Sequence, residues 1–218
     1  MPEAQVKDRA RILSSIRMAL GTSASSEAVV AEYGSIARTY TQTCASDQTA
    51  LLGLFEERLV EYDAGVYHAS TNAIPDRVAE ILTKRAKHGL AIPTGVPPAW
   101  LPQGFVFAEA DGYDAYQLDM TEGVLTGCTV AIAETGSIVL QNAAAQGPRM
   151  LSLVPDYHLC VVLASQVVAT VPESFARLSA TSTLPTTFIS GPSATADIEM
   201  TRIKGVHGPR FLDVLIVI

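Results

Sequence analysis

The chain has 218 residues and a mass of 23.1 kDa, enough for one generous domain with a short appendage. With 48% hydrophobic and only 17% charged residues it cannot be dominated by disorder. Fifteen Lys and Arg against 22 Asp and Glu give a net charge of −7, and the basic residues show no phosphate-tracking run along the sequence, so nucleic acid is excluded as the expected partner.

The elements follow in chain order. Pro2 to Leu20 has helical spacing of Val6, Ala10, Leu13 and Leu20, stopped by Gly21, and is expected to dock on its own domain or on a partner. Gly21 to Gln48, dense in Ser, Thr and Ala, is expected to run over the surface as a long connection, with room for a helical turn. The chain therefore divides into residues 1–48 and a domain of residues 49–218. Leu51, Leu52, Leu54, Phe55, Leu59 and Val60 define an amphipathic helix, followed by a strand at Gly65 to Tyr67 and a helix at Ile74 to Lys87 with Pro75 in its first turn. Leu90 to Ile92 is a strand closed by Pro93-Thr94-Gly95. Beyond Pro97, Pro98 and Pro102 comes another short strand, Phe105 to Phe107, and a loop at Asp111 to Asp114.

The second half is more apolar. Thr129 to Ala133 and Ser137 to Leu140 are β-like, Leu159 to Ala164 reads as a buried strand, and Pro172 to Ser179 starts as a helix. Thr186 to Ile189 and Phe211 to Ile218 complete the strands. Strands alternating with helices, several of them continuously apolar, indicate an α/β fold with a mostly parallel sheet flanked by helices and an N-terminal helical extension. The longest apolar stretch, Leu159 to Val171, is broken by Ser165 and Gln166, and the N-terminus lacks a continuous apolar signal region, so no membrane segment and a cytoplasmic location are expected.

Cys44, Cys128 and Cys160 form no C-x-x-C pair, the four histidines lack metal-ligand spacing, and neither G-x-G-x-x-G nor G-x-x-x-x-G-K-[ST] occurs. No metal or cofactor is expected. Three predicted strands end in similar small-residue turns, at Pro93-Thr94-Gly95, at Glu134-Thr135-Gly136-Ser137 and at Ser190 to Asp197. In an open α/β sheet such turns border the ligand crevice, where backbone N–H groups favour a small anion. Thr94, Gly95, Thr135, Gly136, Ser137, Gly191, Ser193, Thr195, Asp197 and His207 are the candidate ligand-binding residues. Glu134, a carboxylate at a strand end, is the candidate catalytic base or nucleophile, or else a helix cap or the partner of an Arg. Asp197 and Glu199 divide in the same way between structural and functional roles. His207 lies in a glycine-flanked loop with Arg202, Lys204 and Arg210 around it, suited to an anionic substrate. Asp156 and His158 can pair if their loop folds back, whereas His68 and His88 read as surface or strand-end residues.

The segments Thr126 to Ser137, Ser152 to His158, Ser190 to Glu199 and Gly205 to Pro209 together resemble the lactate utilisation protein C family, the LUD domain. The resemblance runs roughly from Leu51 to Ile218. It implies a fold like that of the glucosamine-6-phosphate isomerase, ribose-5-phosphate isomerase and CoA-transferase superfamily. It also implies a role in bacterial oxidation of L-lactate to pyruvate beside two companion proteins that carry iron–sulfur clusters. The chain would be the cluster-free component, binding a small anion or its partner subunits, with homo-oligomerisation allowed by the terminal helix and strand. The alternative is a stand-alone enzyme acting on a CoA thioester, a folate or a sugar phosphate through Glu134, a residue similar in outline to the thioester-forming Glu of CoA-transferases.

Overall fold

The computed structural model describes residues 3–21, 25–44, 47–195 and 203–218, in two compact units, residues 1–40 and 41–218. The first unit holds α1 (Glu3–Leu20) and α2 (Ser26–Ser35). The second helix falls where the sequence suggested a surface connection. Ser25 explains it: the serine-rich run that read as a loop supplies an N-cap, its hydroxyl accepting the Ala28 N–H at 3.2 Å, and Val29, Val30 and Tyr33 follow at helical spacing.

In the second unit α3 (Gln48–Glu61) is capped by Asp47 and buries Leu51, Phe55 and Leu59. It is followed by β1 (Gly65–Ala69), α4 (Ile74–Lys84), β2 (Gly89–Ile92), β3 (Val106–Glu109), α5 (Ala115–Asp119) and β4 (Val124–Thr126). Helix α4 ends three residues before Lys87; Pro75 sits in its first turn as the sequence requires, and Ile74, Val78, Ile81 and Leu82 form its buried stripe. Next come β5 (Val130–Ile132), β6 (Ser137–Gln141), α6 (Arg149–Leu153), β7 (Tyr157–Leu163), β8 (Val167–Val168) and α7 (Val171–Leu178). The chain closes with β9 (Thr186–Ser190), β10 (Ala194–Thr195), β11 (Ile203–Lys204) and β12 (Phe211–Val217).

Six strands form a wholly parallel sheet in the order β1-β12-β7-β4-β2-β3. Its central strands β7 and β12 are buried on both faces, which is why they read as unbroken apolar runs rather than alternating ones. One face packs on Ile74, Val78, Ile81 and Leu82 of α4, the other on α3 and a second sheet. That second sheet, β8-β5-β6-β9, is mixed: β5 and β6 form an antiparallel hairpin, β9 pairs antiparallel with β6, and β8 runs parallel to β5. Apolar residues on these strands do not reveal which sheet a strand joins, so the sequence did not separate them. Among the described residues no helix is long and apolar enough to cross a membrane.

Candidate functional site

The sheet topology distributes the three turns. Thr94 and Gly95 follow the carboxyl end of β2, where the Thr94 N–H donates to Asp111 Oδ2 at 2.7 Å and the Thr94 carbonyl accepts from Ala145 N at 2.9 Å. With Asp111, Asn142 and Gly147, Thr94 lines an open groove of about 570 Å³. The N–H that an anion would need is already taken by a carboxylate.

Thr135 and Gly136 make the tight connection of the β5–β6 hairpin. Gly136 adopts φ 59°, and a Cβ there would lie 2.7 Å from Arg58 Cβ, so only glycine lets the turn close on α3. The Thr135 hydroxyl donates to Ser137 Oγ at 2.8 Å, and Ser137 Oγ lies 2.6 Å from Ser190 Oγ at the end of β9. Gly191 follows with φ 76°, packed so closely on Tyr62 that a Cβ would overlap that side chain. Gly191→Ala is expected to cost roughly 1–3 kcal/mol from the left-handed backbone and the clash combined, checked by urea denaturation.

Ser193 organises the next loop. Its N–H donates to Pro209 O at 2.8 Å, its carbonyl accepts from Gly205 N at 3.0 Å, and its hydroxyl accepts from His207 N at 3.1 Å. These bonds draw the loop before β12 onto the loop after β9 and close a cavity of about 260 Å³. Ser152, Leu153, Phe188, Ser190, Gly191, Ser193 and His207 are among its walls. Gly191, Ser193 and His207 thus share one cavity, and the serine hydrogen bonds tie Ser137 and Thr135 to its edge. Thr195 lies in β10, paired with Ile203 of β11. Asp197, Glu199 and Arg202 lie outside the described residues.

One rim for all three turns is not what forms. Thr94 leaves the carboxyl end of β2, whereas His207 precedes the amino end of β12, and both strands run the same way in one parallel sheet. The groove at Thr94 and the cavity at His207 therefore open at opposite ends of the strands. The hairpin turn joins the second place because Gly136 and Gly191 both pack at the end of α3.

Glu134 takes the capping arrangement. Its Oε1 accepts the Val171 N–H at 2.8 Å, beside the reciprocal Thr170–Glu173 capping box of α7. Asp156 and His158 do not pair. Asp156 lies just before β7 and holds Arg210 in a two-pronged ion pair, Nε to Oδ1 at 2.5 Å and Nη2 to Oδ2 at 2.9 Å. His158, one step into the strand, faces the core with its Nε2 2.7 Å from Thr126 Oγ1, and complete burial lowers its pKa to about 4. His68 and His88 are exposed and face Glu56 and Glu122. The pKa of the Cys128 thiol is held well above its usual range by the neighbouring Cys160 thiol and by burial, so it stays protonated.

The ring of Phe188 carries no local signal, since a lone aromatic in an apolar run reads as core; Ser152 and Ser190 open two of the motifs, but nothing in their order distinguishes them as wall residues. Asp213 was legible in principle. It is the one carboxylate inside the apolar run Phe211 to Ile218, and such a group folds inward only with a partner. The partners are Arg85, whose Nε donates to Oδ2 at 2.8 Å, and Tyr157, whose hydroxyl donates at 2.9 Å.

Comparison with known proteins adds four findings. A family model described as the LUD domain matches residues 108–217. The chain is 42% identical over 170 residues to "Lactate utilization protein C" of Deinococcus radiodurans, an alignment covering 77% of this chain and 79% of that protein. It is 35% identical over 98 residues to a protein of the same name from Shouchella clausii, covering 43% and 42% of the two chains. A crystal structure of a DUF162 family protein from Deinococcus radiodurans superposes with a TM-score of 0.69 at 37% identity, covering 79% of this chain and 99% of that one.

Proposed function

Because this chain belongs to the LUD domain family, we propose that it is a component of a bacterial L-lactate utilisation system, the one without an iron–sulfur cluster, and that it binds a small carboxylate in the cavity beside His207. The observation that supports this reading is the meeting of motifs. Ser152 and Leu153, Ser190 to Ala194, and His207 to Pro209 belong to three separate stretches of the sequence and wall one cavity, while Ser137 of the fourth is hydrogen-bonded to Ser190.

The wall suits an anion by its donors. Among the described residues it contains no carboxylate, and it offers the hydroxyls of Ser190 and Ser193 and the imidazole of His207. Ser193 Oγ accepts the His207 N–H and keeps its own O–H to donate. Arg210 is not counted among the anion's contacts, because Asp156 already answers its charge. A volume of about 260 Å³ is ample for a three-carbon acid, and Leu153, Phe188 and Pro192 supply an apolar side for its methyl group. The electron-transfer step is assigned to companion proteins, on the ground that three cysteines without cluster spacing cannot hold such a centre.

Deleting the gene in its host is expected to abolish growth on L-lactate and leave growth on glucose intact. Wild-type protein should restore growth, and a Ser193→Ala/His207→Ala variant present at the same level should not. The purified variant should bind lactate at least about tenfold more weakly, the loss of one or two hydrogen bonds to a charged group. Undiminished growth on lactate without the gene would remove the assignment, whereas normal growth of the variant would remove only the cavity.

A further inference from the structure

The densest positive run in the chain, Lys84-Arg85-Ala86-Lys87, stands out in a unit, residues 41–218, that carries 10 Lys and Arg against 18 Asp and Glu. Helix α4 ends at Lys84, and Ala86 takes a left-handed φ of 53°, so the chain turns and spreads three cations over aromatic rings in the middle of β1 and at the amino ends of β12 and β7. Lys84 Nζ lies 5.1 Å from the Tyr67 ring centre and 3.1 Å from its hydroxyl. Arg85 lies 5.7 Å from the Tyr157 ring and 5.4 Å from that of Phe211, and Lys87 Nζ lies 5.9 Å from Tyr157. Arg85 is answered by Asp213. Among the described residues Lys84 and Lys87 have no carboxylate within ion-pair distance. Beside them Phe211, a large aromatic, is 46% exposed.

We propose that Lys84, Lys87 and Phe211 form the docking surface for an acidic segment of a protein partner, two carboxylates meeting the ammonium groups and an apolar side chain covering the ring. Charge complementarity carries this: an isolated positive patch on a negative body attracts an acidic sequence and repels other copies of the same surface. Rings beneath the cations restrict the lysine side chains before binding, which lowers the entropy lost on association. Small anions need a concavity, and neither the groove at Thr94 nor the cavity at His207 is lined by these residues. Two free ammonium groups neutralise too few phosphates to hold a nucleic acid, and the acidic remainder of the unit opposes an anionic membrane.

The test uses the full chain and a short fluorescein-labelled peptide of alternating Glu and Leu, followed by anisotropy. Binding should weaken steeply between about 0.02 M and about 0.2 M salt. Lys84→Glu/Lys87→Glu should weaken it by about tenfold or more, the size two exposed ion pairs supply, and Phe211→Ala by a few-fold. An equal change of net charge elsewhere, Arg11→Glu/Arg17→Glu on α1, should leave it nearly unchanged. The proposal is overturned if the peptide does not bind, if the α1 control loses as much as the patch variant, or if single-stranded RNA or phosphatidylglycerol vesicles bind more tightly than the peptide. None of these outcomes bears on lactate binding beside His207.

Discussion

Asp213→Asn is expected to destabilise the chain by roughly 3–5 kcal/mol, a large share of the roughly 5–15 kcal/mol that holds a domain folded. Asp213 is fully buried in the second strand of the parallel sheet, and its two oxygens receive Arg85 through both arms of the guanidinium and the Tyr157 hydroxyl. The hydrogen bonds that Arg85 donates to Asp213 hold the Arg85 pKa above its ordinary value, and burial followed by the charge of Asp213 raises that of Tyr157, so one stays charged and the other protonated. An amide cannot answer the arginine's charge, which is left only 30% exposed beside the rings of Tyr157 and Phe211. Thermal unfolding should show a midpoint lowered by about 10 °C. A loss under about 1 kcal/mol would mean that solvent compensates Arg85 and that the network contributes little.

The second large effect is on pH dependence and comes from His158. Its pKa in the folded chain is about 4, because the ring is buried, with Thr126 as its hydrogen-bond partner among the described residues. An unfolded histidine binds its proton near pH 6.5. Above that pH neither state is protonated and the stability contribution is fully present. As pH falls from about 6.5 towards 4 the unfolded state gains a proton that the folded state refuses, and stability drops by roughly 3 kcal/mol in total. Urea denaturation at neutral and at mildly acid pH should therefore show a steeper loss for wild type than for His158→Gln, whose amide meets Thr126 without titrating. Equal slopes would show that the carboxylates alone govern acid sensitivity.

Several parts of this protein were legible from local pattern. Pro75 at the start of α4, the apolar runs of β7 and β12, and the small residues around Gly136 and Gly191 each follow from backbone sterics or burial within a few residues. The four motifs are likewise short local stretches, and their order and content resemble the LUD domain, whose family model matches residues 108–217. Local pattern misjudged the serine-rich segment at Ser25, where one hydroxyl makes the difference between a loop and a capped helix.

Amino-acid order alone thus settled the α/β class, the places where the chain turns and the family, because propensity, periodicity and turn chemistry act over neighbouring residues. The company each turn keeps was decided by the three-dimensional arrangement. Strand direction in the parallel sheet sends Thr94 to one end and His207 to the other, and the hairpin of β5 and β6 carries Ser137 to Ser190. It likewise places Lys84 and Lys87 over rings supplied by strands remote in sequence, and Asp213 against an arginine 128 positions away. Pairings of that kind depend on which strands become neighbours, and a run of apolar residues fits many neighbours equally well.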